Sequence, residues 1–153
     1  MNDGLETSCG FIAILGAPNV GKSTLLNRVV GTKVSIVSPK VQTTRTRVLG
    51  IALEDDAQMI FIDTPGIFKP KRRLDRAMVA AAWGGAGDAD HVVLLVDSQR
   101  GINPDTQSII DKLKQSERKV DLALNKVDLV DKQDLLALTE KLNEYGIFDE
   151  IFM

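Results

Sequence analysis

Between the apolar run Phe11 to Leu15 and a leucine-rich stretch lies Gly16-Ala17-Pro18-Asn19-Val20-Gly21-Lys22-Ser23, a segment that leaves a chain little choice of fold. Gly16 and Gly21 allow the backbone to turn inward, so that successive N–H groups face one enclosed anion, and the helix that follows adds the positive end of its dipole. Lys22 supplies a point charge for β- and γ-phosphates, and the Ser23 hydroxyl a ligand for Mg²⁺. The pattern therefore reads as a phosphate-binding loop only if a buried strand precedes it and a helix follows, and both are legible. Ser23 to Val30 sets Leu25, Leu26, Val29 and Val30 on one helical face, and Gly31 suits the cap after it.

A chain of 153 residues is the size of one domain, with enough apolar sequence for one real core. A formal net charge of -2 argues against a protein that grips nucleic acid through overall basicity, though it allows a local basic patch. The single cysteine, Cys9, cannot form an internal disulfide, reads as an inert thiol, and fits a reducing compartment. Met1 to Ser8 is polar and acidic, unlike a basic leader, and no apolar run approaches the ~18 residues that span a bilayer. The expected location is the cytoplasm. Residues 1–9 are expected to be a flexible N-terminus and 10–153 one nucleotide-binding domain.

Further along, Thr32 to Arg47 has neither helical nor strand period and reads as a long functional loop. Val48 to Leu53 and Gln58 to Ile62 read as an antiparallel hairpin joined through Glu54 to Ala57, the second strand running into Asp63-Thr64-Pro65-Gly66. A helix is expected from about Arg72 to Trp83, with Trp83 as a packing residue and glycines 84, 85 and 87 ending it. His91 to Asp97 has the continuous hydrophobicity of a buried parallel strand. Asn103 and Pro104 are an N-cap and first-turn pair for a helix presenting Ile109, Ile110 and Leu113. Val120 to Leu124 is the next strand and ends at Asn125-Lys126-Val127-Asp128; Asp131 caps a helix bearing Leu135, Leu138 and Leu142 that stops at Gly146, and Glu150 to Met153 begins another strand.

This alternation implies an α/β fold, an open and mostly parallel doubly wound sheet with one antiparallel strand. Ligands in such sheets bind outside the carboxyl ends of strands, where Gly16 to Ser23, Asp63 to Gly66 and Asn125 to Asp128 all fall, so these stretches are expected to converge. Asp63 is placed to hold Mg²⁺ through water, and the Gly66 N–H to sense a γ-phosphate. Guanine offers donors at N1 and N2 that one carboxylate accepts together, whereas adenine presents the opposite pattern, so Asp128 would reward guanine. Asn125 would hold the loop and the base, and the Lys126 stem would cover the base's face. A P-loop ATPase or kinase is disfavoured by Asp128.

Together, the phosphate loop, Gln42-Thr43-Thr44-Arg45, Asp63-Thr64-Pro65-Gly66 and Asn125-Lys126-Val127-Asp128 resemble the Era family of GTPases, within the wider class of Ras-like, translation-factor-related G domains. The Gln-Thr-Thr-Arg segment, with Lys33 to Ser38 before it, is what points to Era. The resemblance covers the chain from about Cys9 onward. It implies a P-loop NTPase G domain, binding of GTP and GDP with Mg²⁺, slow GTP hydrolysis, and a role in maturing the small ribosomal subunit through its rRNA. It also implies peripheral membrane association for the full-length family.

By carry-over, Gly16, Ala17, Pro18, Asn19, Val20, Gly21, Lys22, Ser23 and Thr24 would surround the nucleotide with Asp63, Thr64, Pro65, Gly66, Asn125, Lys126 and Asp128. Lys22, Thr44 and Gly66 would act in catalysis, and Ser23, Thr44 and Asp63 would serve Mg²⁺. Asn19 resembles a K⁺ ligand of related GTPases. Ile67 stands where Ras-type enzymes place a water-orienting glutamine, which implies weak intrinsic hydrolysis, and a binding module with negligible turnover stays open beside the enzyme. Lys40, Arg45, Arg47, Lys69, Lys71, Arg72, Arg73 and Arg76 lie in or beside the two switch segments, where they would either read RNA or simply be solvated. The Ser-Ala motif, the final helix and the KH domain of Era proteins are not in this sequence, so an incomplete G domain of weakened stability is expected. The Gly84-Gly85-Ala86-Gly87 run leads into a buried strand and not into the helix that a KH loop requires.

Overall fold

The computed structural model describes residues 8–30, 48–62, 86–87 and 89–153. Six strands form one sheet in the order β2-β3-β1-β4-β5-β6. They are β1 (Ser8–Leu15), β2 (Val48–Glu54), β3 (Ala57–Ile62), β4 (His91–Asp97), β5 (Val120–Asn125) and β6 (Phe148–Phe152). Only the β2–β3 pair is antiparallel; β1 runs parallel to both β3 and β4, and β5 and β6 continue in the same sense. The described helices of a turn or more are α1 (Lys22–Val30), α2 (Pro104–Gln115) and α3 (Lys132–Asn143).

Each face of the sheet carries its own apolar cluster, because strand side chains alternate. On one face Leu15, Leu94, Val96, Leu122 and Leu124 meet Ile109, Ile110 and Leu113 of α2 and Leu142 of α3. On the other, Ile14, Phe61 and Leu95 lie under Leu26 of α1 with Ala17 and Val20 of the loop before it. Leu15, Leu94, Val96 and Leu122 are wholly out of solvent, which is worth about 1.5–3 kcal/mol per side chain. Strands covered on both faces can be continuously apolar, and β4 is.

At the amino ends of the strands, polar ties replace apolar packing. Asp90 accepts a 2.8 Å hydrogen bond from the Phe11 N–H, and Asp121 accepts one of 3.2 Å from Glu150 N–H. Arg118, just before β5, donates to the carbonyls of Ala86 and Ala89, and so holds the segment that leads into β4.

Several expectations shift. β1 begins at Ser8, inside the stretch read as a free N-terminus, because Ser8 and Cys9 pair with Ala57 and Gln58. The hairpin needs only Asp55 and Asp56 in its turn, Asp55 taking φ 49, so each strand gains a residue. Asp131 occupies the N-cap position of α3 but makes no side-chain capping bond. β6 starts at Phe148, two residues early, drawn into register by the pair Val120↔Phe148. Val29, expected on the apolar face of α1, is 44% exposed. The loop at 32–47 and the helix at 72–83 lie outside the described residues.

Candidate functional site

β1 is the centre of the sheet, with β3 on one side and β4 on the other, so the strand order reverses beside it and a crevice opens at its carboxyl end. The chain leaves β1 at Leu15 and enters α1 at Lys22, with the Leu25 N–H donating to the Gly21 carbonyl at 2.9 Å. The loop packs down on β4: a Cβ on Gly16 would sit 2.7 Å from Val20 Cγ2 and 3.0 Å from the Leu95 carbonyl oxygen. Gly21 holds φ 98, and a Cβ there would stand 2.3 Å from Asn125 Nδ2. Glycine is thus required at both positions, once by close approach and once by both conformation and space. Asn19 takes a left-handed φ of 65, which asparagine tolerates better than most residues. Lys22 begins α1 with its Nζ buried, while Ser23 and Thr24 are exposed in the same turn.

The second stretch meets the first directly. Asn125 closes β5, and its Nδ2 donates to the Val20 carbonyl at 2.8 Å. Lys126, left-handed at φ 58, sends its ammonium back to the Asn19 carbonyl at 3.1 Å. Asp128 lies in the short 3-10 turn Val127–Leu129 that follows, with its carboxylate exposed. Asparagine and lysine side chains therefore tie the glycine-bearing loop after β1 to the turn bearing the carboxylate.

A third group was not singled out by motif. Asp97 ends β4 and is 3% exposed, yet it sits against Lys126, whose Nζ donates to Oδ2 at 2.8 Å. Its Oδ1 accepts the backbone N–H of Gln99 at 2.9 Å and of Arg100 at 3.3 Å. Burial alone would push this carboxyl up. The Lys126 hydrogen bond, the two backbone N–H groups and the lysine's charge outweigh it, holding Asp97 below the ordinary 3.8. The signal in the sequence was an aspartate that follows an apolar run, the pattern also read at Asp63, but without a glycine three positions later.

β3 ends at Ile62, level with Ala13 of β1. Asp63, Thr64, Pro65, Gly66 and Thr44 lie outside the described residues, as does Ile67. Cavities of about 350 and 570 Å³ open at the amino ends of the strands, lined in part by Val92, Leu113 and Arg118 and by His91, Asp121 and Asp149. They are at the opposite end of the strands from the loop after β1, and carboxylates there serve strand ends. Among the described residues no cluster of metal-ligating side chains occurs, and no helix is long and apolar enough to cross a membrane.

Residues 11–126 match a family model described as 50S ribosome-binding GTPase. GTPase Era of Sinorhizobium medicae is 59% identical over 149 residues, covering 97% of this chain and 48% of that protein. Among solved structures, Era in complex with MgGDPNP and nucleotides 1506–1542 of 16S ribosomal RNA superposes with a TM-score of 0.79 at 39% identity, covering 95% of this chain and 50% of that one. An Aquifex aeolicus Era variant bound to GDP and AlF4⁻ gives a TM-score of 0.78 at 39% identity, again over 95% and 50%. The chain spans about half the length of the curated relatives it matches.

Proposed function

This chain belongs to the Era family of GTPases as its G domain, and from that premise we propose that it is a cytoplasmic guanine-nucleotide switch that hydrolyses GTP to GDP and phosphate and serves maturation of the small ribosomal subunit. The observation that carries the reading is the pair of hydrogen bonds from Asn125 and Lys126 into the carbonyls of Val20 and Asn19, which makes one site of two motifs far apart in sequence. In this proposal the loop Gly16 to Ser23 and Thr24 cradle the phosphates, Lys22 meets the β- and γ-phosphates, and Asp128 accepts from guanine N1 and N2. Lys126 lays its stem along the base while its ammonium stays engaged at the loop. Ribosomal RNA is the proposed partner, by analogy with the solved Era complex.

The residues present fit a Mg²⁺–nucleotide. The loop keeps its shape through close packing that admits no Cβ at Gly16 or Gly21, and Lys22 and Ser23 follow one another at the start of α1. The chemistry that Mg²⁺ would supply there is positive charge to offset the charge that develops on the phosphate. Ser23, Thr44 and Asp63 are the proposed residues around it, with Asp63 acting through water. The chain's own part in hydrolysis is positional: the loop N–H groups and Lys22 hold the terminal phosphate for in-line attack by water, and the roles proposed for Thr44 and the Gly66 N–H are to serve the metal and to sense the γ-phosphate. Ile67 cannot orient that water, so the proposed intrinsic rate is slow.

Titration with fluorescent GDP, GTP and ATP in Mg²⁺ tests this reading. Guanine nucleotides are expected to bind and ATP to fail, and Asp128→Ala should weaken GDP by about 10- to 100-fold, the worth of a hydrogen bond to a charged group. Equal affinity for ATP and GTP would refute it.

A further inference from the structure

Side chains two apart on a strand share a face, so Asp97 lies on the same side of β4 as Leu95, the residue against which the phosphate loop packs. It is also level with Asn125 across the β4–β5 pair. One buried carboxylate therefore stands between the two loops of the site, and the only side chain bonded to it among the described residues within hydrogen-bond range is Lys126. The lysine needs such an anchor. A lysine side chain carries about 2 kcal/mol of rotamer entropy. A 3.1 Å bond to a carbonyl at the exposed margin is too little to hold it there, when its ammonium could turn to water. A buried carboxylate at 2.8 Å supplies the remainder, and its own charge is kept by the N–H groups of Gln99 and Arg100.

We infer that Asp97 is a positioning residue: by fixing Lys126 between β4 and the Asn19 carbonyl, its carboxylate keeps the base-reading turn and the phosphate loop at one spacing, and so sets how long a guanine nucleotide stays bound. This rests on the guanine-nucleotide reading of the same site. The rival role is local, since Asp97 also closes the turn after β4 through its Oδ1. Asparagine makes the same turn. Asp97→Asn thus retains the turn and removes the charge that holds the lysine.

The experiment is release of fluorescent GDP from the protein and from Asp97→Asn, Lys126→Ala and the double variant, with amide exchange of the nucleotide-free forms beside it. Asp97→Asn is expected to speed release about tenfold, a loss typical of a hydrogen bond to a charged group. In the Lys126→Ala background the same change should alter release by less than about twofold, because the partner is already gone. Exchange should quicken at residues 16–22 and 125–129 and stay unchanged in α2 and α3. Wild-type release from Asp97→Asn, an equal acceleration without Lys126, or unchanged exchange at 16–22 would each overturn the inference. A protein that holds no GDP at all would overturn the functional reading instead, and the exchange comparison would still decide the role of Asp97.

Discussion

Gly21 is the residue at which conformation, packing and the proposed chemistry coincide. Its φ of 98 is costly for any side chain, and a methyl group would collide with Asn125 Nδ2. Gly21→Ala should therefore cost about 1–3 kcal/mol in backbone strain and displace Asn125 from the Val20 carbonyl. Urea unfolding is expected to show that loss, and GDP titration a fall in affinity of more than about tenfold. Gly87→Ala is the control: nothing lies within 4 Å of its added Cβ, and its stability should stay within about 0.5 kcal/mol of the parent. Asp97 gives a prediction in pH. Its folded value lies below 3.8, so its ion pair adds stability that is fully present above the unfolded value and is lost as the pH falls through the folded one. The facing groups are the Lys126 ammonium and, at 4.0 Å, the Arg100 guanidinium. The difference in unfolding free energy between the protein and Asp97→Asn should be level above about pH 5 and shrink below 3.8. Asn125, Lys126 and Asp128 were legible because their spacing follows a strand; Asp97 was not, since its importance comes from a lysine 29 residues away.

Helix starts show how far local sequence decides an element. Asn103 and Asp131 both precede helices, yet Asn103 Oδ1 accepts the Thr106 N–H at 2.8 Å whereas Asp131 makes no such bond. Asn103→Ala is expected to cost about 1 kcal/mol, and Asp131→Ala no more than about 0.5 kcal/mol. Denaturant midpoints of the two variants check this, and equal losses would contradict it. β4 was readable to within a residue because a buried strand is apolar throughout, and the start of α2 because Asn-Pro marks it. The 3-10 turn Val127–Leu129 and the early start of β6 were not, for both depend on what neighbouring strands offer. A period in sequence reports which face is covered, and it says little about where a partner ends.

At the scale of the molecule, alternation of strands and helices was enough to foresee a mostly parallel sheet with one antiparallel strand. The order β2-β3-β1-β4-β5-β6 was not readable, since parallel neighbours such as Ala13↔Val92 are joined across most of the chain. Activity is a property of this scale too. The Asn19 carbonyl is committed to Lys126 and its side chain is exposed, so the expectation that this side chain serves K⁺ can be tested directly. Single-turnover hydrolysis should be faster in potassium than in sodium salts, and the difference should vanish in Asn19→Ala. Equal rates, or stimulation that survives the substitution, would exclude the ion from the mechanism. Arg118 lies at the opposite end of the strands, just before β5. With both guanidinium arms on the carbonyls of Ala86 and Ala89, it acts as a mooring post. A pull applied at Ala86 or Ala89 would be borne by that side chain, and the central strands would be spared its strain.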